Sequence, residues 1–247
     1  VSVDRLRDAL RTVTGGTPLG VGPVLDGRSV PRHPFTPDAP AQSAAIPVLA
    51  GWNKDETTVL FPPPDAFNLD WAGLRKHLAV ALPNADTDGL IAALRRLRPL
   101  ATPSDLYFAA TTELGMGANA RTLATRKQAQ GGAPVWLYRL EWESPANGGR
   151  LRAHHGLDVA LVFDNVAGAP GLSPRAAEAQ QVADAMSSAW LAFARTGNPN
   201  APGLAYWPAF DALQQPTMIF NVVSRTVTDP LHDLRVLLAS PPPKLPR

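Results

Sequence analysis

Apolar residues come in short runs along this chain, and each run stops abruptly at a polar cluster. In "AIPVLAGW", residues 45 to 52, the run ends in "NKDE". That pattern predicts a buried strand of a parallel sheet whose carboxyl end opens toward solvent. "PVWLYRLEW", residues 134 to 142, alternates instead. Trp136, Tyr138, Leu140 and Trp142 fall on one face and Val135, Leu137, Arg139 and Glu141 on the other, which predicts a second strand. "PTMIFN", residues 216 to 221, predicts a third. Helical stretches fall between the first two strands, near 70–82, 87–97, 103–115 and 117–129. The clearest helix follows Ser173-Pro174, an N-cap with proline in the first turn. Val182, Met186, Ala189, Trp190 and Phe193 then form one apolar stripe, ordinary core at this spacing, and Gly197 with Pro199 ends it. Strands alternating with helices place the chain in the α/β class, a mostly parallel sheet flanked by helices.

Composition narrows the chemistry. The chain has 247 residues, enough to bury a sizeable core, and its 26 prolines punctuate loops such as "FPPPD" and "GNPNAPG" rather than forming one tract. Charged residues are 18% with a formal net charge of +2, so no field strong enough to recruit nucleic acid or anionic lipid is visible. The absence of cysteine excludes disulfides and thiolate catalysis and leaves the compartment open. No apolar run approaches the ~20 residues that span a bilayer. The start, "VSVDRLRDAL", reads as the middle of a longer sequence and resembles neither a signal nor a transit peptide.

Reactive groups in open α/β sheets gather beyond the carboxyl ends of the strands. Asp55 and Glu56 sit there, after "PVLAGW". "RAHHGLDVALVF", residues 152 to 163, sets two of the five histidines against a glycine in the loop after the second strand. A buried carboxylate can fix a histidine's tautomer and stabilise the imidazolium formed when the other nitrogen takes a proton. Each motif also has a plainer reading, a solvated acidic turn and a loop with one satisfied and one exposed histidine. A metal reading would draw on His155, Asp158 and Asp164, without the spaced histidine cluster that zinc or iron sites use.

These stretches resemble the type B carboxylesterases, the cholinesterase-like family. "PVLAGWNKDETTVLF" is similar to that family's "G-x-N-x-D-E" segment, and "HHGLDVALVF" to its "H-G-x-D/E-x-x-x-V-F" segment. "GPVLDGRSVPRHP" and "AWLAFARTGNPN…YWPAFD" match in the same order. The resemblance implies an α/β-hydrolase fold and a serine esterase acting on small-molecule esters through an acyl-serine intermediate, with no cofactor. It implies Glu56 as the triad acid, with Asp55 a surface neighbour. It implies His155 as the base, with His154 structural or pocket-lining. Asp158 is then a carboxylate supporting the histidine loop.

One departure is large. No serine stands in the family's "G-x-S-x-G" elbow, and no glycine cluster, "GGTPLG" included, replaces its oxyanion-hole loop. The expectation is therefore that residues 1 to 247 are the carboxyl-terminal portion of a single α/β-hydrolase domain. Its partner would be the amino-terminal half of the same enzyme, which carries the nucleophile. A different class also fits: a cholinesterase-like binding or adhesion module that keeps the fold without turnover.

Overall fold

The apolar runs form the strands their pattern predicts. In the computed structural model, which describes residues 1–15, 23–60, 62–169 and 177–243, β1 (Val48–Asn53), β2 (Val135–Leu140) and β3 (Pro216–Phe220) lie side by side in parallel. A fourth strand, β4 (Arg225–Thr228), adds antiparallel to β3, giving the order β1-β2-β3-β4. β4 is short, polar and exposed at both ends, so no apolar run announces it.

The helices in chain order are α1 (Val3–Thr14), α2 (Trp71–Ala81), α3 (Thr87–Leu97), α4 (Pro103–Thr112), α5 (Ala118–Ala129), α6 (Leu157–Val162), α7 (Ala177–Thr196) and α8 (His232–Ala239). α4 starts on a reciprocal cap: the Thr102 hydroxyl accepts the Asp105 amide, the Asp105 carboxylate accepts the Thr102 amide, and Pro103 fills the first turn. It then widens into a π turn, Glu113–Gly117, before α5 begins. α1 buries none of its side chains. The Ser173-Pro174 cap and most of the "GGTPLG" stretch lie outside the described residues.

The alternation in β2 divides the core. Trp136, Tyr138 and Leu140 join Val182, Met186 and Phe220 on the α7 side, whereas Val135 and Leu137 join Trp52 and Ala124 on the α5 side. Both faces are covered, so every residue of β2 is buried, as a central parallel strand requires. Each large side chain taken out of water here contributes roughly 1.5–3 kcal/mol. A third cluster, Leu74, Leu78, Leu90, Leu94, Leu106, Leu234 and Leu238, ties α2, α3, α4 and α8 together beside the sheet.

One glycine sets how β1 and β2 meet. Gly51 pairs with Tyr138, and a Cβ built on it would lie 2.3 Å from Tyr138 Cδ1 and 2.4 Å from the Tyr138 carbonyl oxygen. The missing side chain lets the tyrosine ring cross β1 while packing edge-on against Trp190, with 4.9 Å between ring centroids. Gly51→Ala should therefore lower stability by about 1–3 kcal/mol through overpacking. A thermal melt of the variant checks this, and an unchanged midpoint would show that the strands can separate freely.

Candidate active site

β1 ends at Asn53, and the chain turns at once into a short 3₁₀ turn, Glu56–Thr58, that buries the Glu56 side chain. His155 arrives from the loop after β2, where Gly156, at φ +80°, turns the chain sharply into α6. The two side chains meet: His155 Nδ1 lies 2.6 Å from Glu56 Oε2. The other carboxylate oxygen, Oε1, accepts the Asn53 amide at 2.7 Å. Burial pushes the Glu56 carboxyl above its ordinary value, and the Asn53 amide and His155 pull it back down. Glu56 is 5% exposed, while the His155 side chain is 47% exposed. A carboxylate on Nδ1 selects the Nδ1–H tautomer, which leaves Nε2 with a lone pair. No described residue hydrogen-bonds that nitrogen.

A second layer stitches the two loops together. The Asn53 side-chain amide donates to the His154 carbonyl at 2.8 Å and to Asp158 Oδ1 at 3.1 Å. Asp158 Oδ2 accepts the Tyr138 hydroxyl at 3.1 Å. Burial, and then the Asp158 charge, push the Tyr138 phenol well above its ordinary value, so it stays a donor. Asp158 thus meets β1 and β2 rather than the imidazole of His155. His154 is buried, with Nδ1 donating to the His155 carbonyl at 2.9 Å. Its Nε2 is buried without a partner among the described residues.

Asp55 differs from the expectation of a surface neighbour: it is 3% exposed. The turn after β1 sends consecutive side chains to opposite sides, Glu56 toward His155 and Asp55 beneath the histidine loop. Burial raises the Asp55 carboxyl, against the pull of Lys54 and Arg152. Asp55 lines a cavity of about 370 Å³ together with Arg98, Asp105, Glu113, Arg139 and Arg152. Arg139 is almost fully buried beside this cavity, and burial holds its guanidinium down to about 10.

A sequence profile of the carboxylesterase family matches residues 99–235, more than half of the chain and including His155. The chain belongs to the carboxylesterase family. Among relatives of this carboxylesterase-family chain, the para-nitrobenzyl esterase of Bacillus subtilis (strain 168) is 27% identical over 215 residues, covering 86% of this chain and 42% of its own length. Phenmedipham hydrolase of Pseudarthrobacter oxydans is 29% identical over 221 residues, covering 81% and 40%. The crystal structure of a Geobacillus stearothermophilus carboxylesterase superposes with a TM-score of 0.75 at 28% identity, covering 96% of this chain and 49% of that one. The mixed sheet and its flanking helices are therefore α/β-hydrolase architecture, and the chain spans less than half the length of these relatives.

Of the residues singled out in the sequence, the fold brings together Glu56, His155 and, through Asn53, Asp158. It does not assemble His155, Asp158 and Asp164 into a ligand set. Asp164 accepts from Gln180 at 2.6 Å, and among the described residues no group of three or more His, Cys, Asp or Glu could hold a metal ion. Among the described residues no helix is long and apolar enough to cross a membrane. The side-chain roles of Asn53 and Tyr138 lie outside the sequence expectations, although Asn53 falls inside the "G-x-N-x-D-E" segment. Tyr138 carried no signal beyond its place on an apolar strand face.

Proposed function

We propose that residues 1–247 form the acid- and base-bearing part of a serine carboxylesterase. Glu56 is the triad acid and His155 the base. The serine comes from a segment outside these residues, the amino-terminal half of the same enzyme. His155 Nε2 takes the serine proton as the serine oxygen adds to the ester carbonyl, and Glu56 stabilises the imidazolium that results. The imidazolium then protonates the leaving alcohol, giving an acyl-serine. Water, deprotonated by the same nitrogen, releases the acid and restores the serine. Nothing in this sequence of steps calls for a cofactor. Asp158, with Asn53 and Tyr138, braces the histidine loop. The names of the relatives, para-nitrobenzyl esterase and carboxylesterase, support small-molecule carboxylic esters as the substrate class.

The observation that carries this reading is the 2.6 Å contact between His155 Nδ1 and a buried carboxylate 99 residues earlier. A fluorophosphonate probe tests it. Residues 1–247 alone should take up no label. A polypeptide that adds the preceding segment should be labelled on a serine within that segment and should hydrolyse a p-nitrophenyl ester. An adduct on a serine within 1–247 would overturn the division of roles. A folded, unlabelled and inactive complete polypeptide would favour the binding-module reading.

A further inference from the structure

Glu56 is flanked by two residues whose bonds run past it to the segment ahead of His155. The Asp55 amide donates to the Ala153 carbonyl at 2.9 Å, and Asp55 Oδ2 accepts the Ala153 amide at 3.4 Å. Asp55 and His154 form an isolated parallel bridge, a single rung of ladder beyond the ends of β1 and β2. On the other side of Glu56, Thr58 Oγ1 lies 2.8 Å from the Asp55 carbonyl oxygen and 2.9 Å from that of Leu151. Arg152, held at φ +57°, brings its guanidinium 3.9 Å from Asp55 Oδ1. The same guanidinium is ion-paired to Asp105 on α4 and sits over the Phe108 ring. Residues 151 to 153 are thus seated against the turn that carries Glu56, two residues ahead of the imidazole.

A carboxylate buried in such a place is costly to desolvate, and removing it leaves a partly buried arginine with one partner fewer. Together with the Asn53 bond to the His154 carbonyl, the Asp55 contacts with Ala153 and Arg152 bear on the offset between two loops far apart in sequence, on which the Glu56–His155 contact depends. We propose that Asp55 is a positioning residue for the Glu56–His155 pair, setting that offset through the Ala153 backbone and the Arg152 guanidinium. The proposal rests on the reading of Glu56 and His155 given above. A misplacement of about 1 Å at a reacting group can cost on the order of 10²-fold in rate.

The test uses the complete polypeptide, with two readouts. One is kcat and KM on a p-nitrophenyl ester; the other is the low-field proton resonance of His155 Nδ1–H bonded to Glu56. Asp55→Ala should lower kcat about 10²-fold with KM within about threefold, and should abolish or broaden the resonance. Asp55→Asn keeps an oxygen for the Ala153 amide and should recover kcat to within about tenfold, with the resonance present. A folded Asp55→Ala protein with wild-type kcat and an unchanged resonance would overturn the proposal. Should that variant not fold, Arg152→Ala decides: about tenfold lower kcat at unchanged KM is expected, and wild-type kcat overturns it. The resonance separates the two readings. If no ester is turned over, the esterase assignment fails, while the resonance still reports whether Asp55 sets the contact.

Discussion

His155→Ala, in a polypeptide that joins residues 1–247 to their nucleophile-bearing segment, should lower kcat by about 10⁴-fold or more, or ~5.5 kcal/mol of transition-state stabilisation. Glu56→Gln should be nearly as severe, and the geometry gives the reason. Glu56 Oε1 accepts the Asn53 backbone amide, so a glutamine must place its single oxygen there. Its amino group then faces His155 Nδ1 and donates to it. That selects the Nε2–H tautomer, which cannot take a proton from serine. His154→Ala should cost about tenfold or less in kcat, because that imidazole is buried and bonded to the His155 carbonyl. Its loss should appear instead as a lower melting temperature. Steady-state kinetics on the three variants checks the assignment, and equal losses at His154 and His155 would move the base.

The other large effect concerns the open edge of the sheet. Among the described residues β1 pairs with no strand but β2, and it stands at the end of the strand order. The amides of Val48 and Lys54 point to β2, donating to the carbonyls of Pro134 and Leu140. By the alternation of a parallel ladder, those of Leu49, Gly51 and Asn53 point the other way. Glu56 Oε1 takes the Asn53 amide, leaving Leu49 and Gly51 for another strand. Nothing in "VLAGWN" blunts this edge with charge or proline. Residues 1–247 alone should therefore be insoluble or dimerise through β1, and adding the proposed nucleophile-bearing segment should restore a monomer by pairing a strand there. Size exclusion with near-UV circular dichroism is the measurement. A soluble monomer with sharp aromatic signals and a cooperative melt would show that the edge is tolerated, and the pairing proposal would lose its basis.

Much of the framework was legible because it is local. The apolar run at 45–52 became Val48–Asn53, the alternation at 134–142 became Val135–Leu140, and 216–221 became Pro216–Phe220. The helical stretches near 70–82 and 87–97 matched to within a residue or so, and 103–115 and 117–129 meet at the π turn. Capping chemistry and side-chain period act over a few residues and need no distant partner. α1, α6, α8 and β4 are not among the elements the sequence predicts. α6 and β4 are only six and four residues long, and α1, although Val3, Leu6, Leu10 and Val13 stand at helical spacing, buries none of its side chains.

Sequence by itself thus determined three of the four strands, the helices α2 to α5 and α7, and the mostly parallel sheet, and through resemblance it pointed to Glu56 and His155. Only the tertiary structure decided what the adjacent acids Asp55 and Glu56 each meet, and that Asp55 is buried rather than at the surface. One reaches His155 and the other Ala153 and Arg152, because partners about a hundred residues downstream fix the turn between them. The same holds for Asn53 and Tyr138, which meet on Asp158 only once β1 and β2 are in register. Side-chain period specifies which way a residue points; what it meets there depends on contacts that close long loops, and those exist only in the assembled sheet.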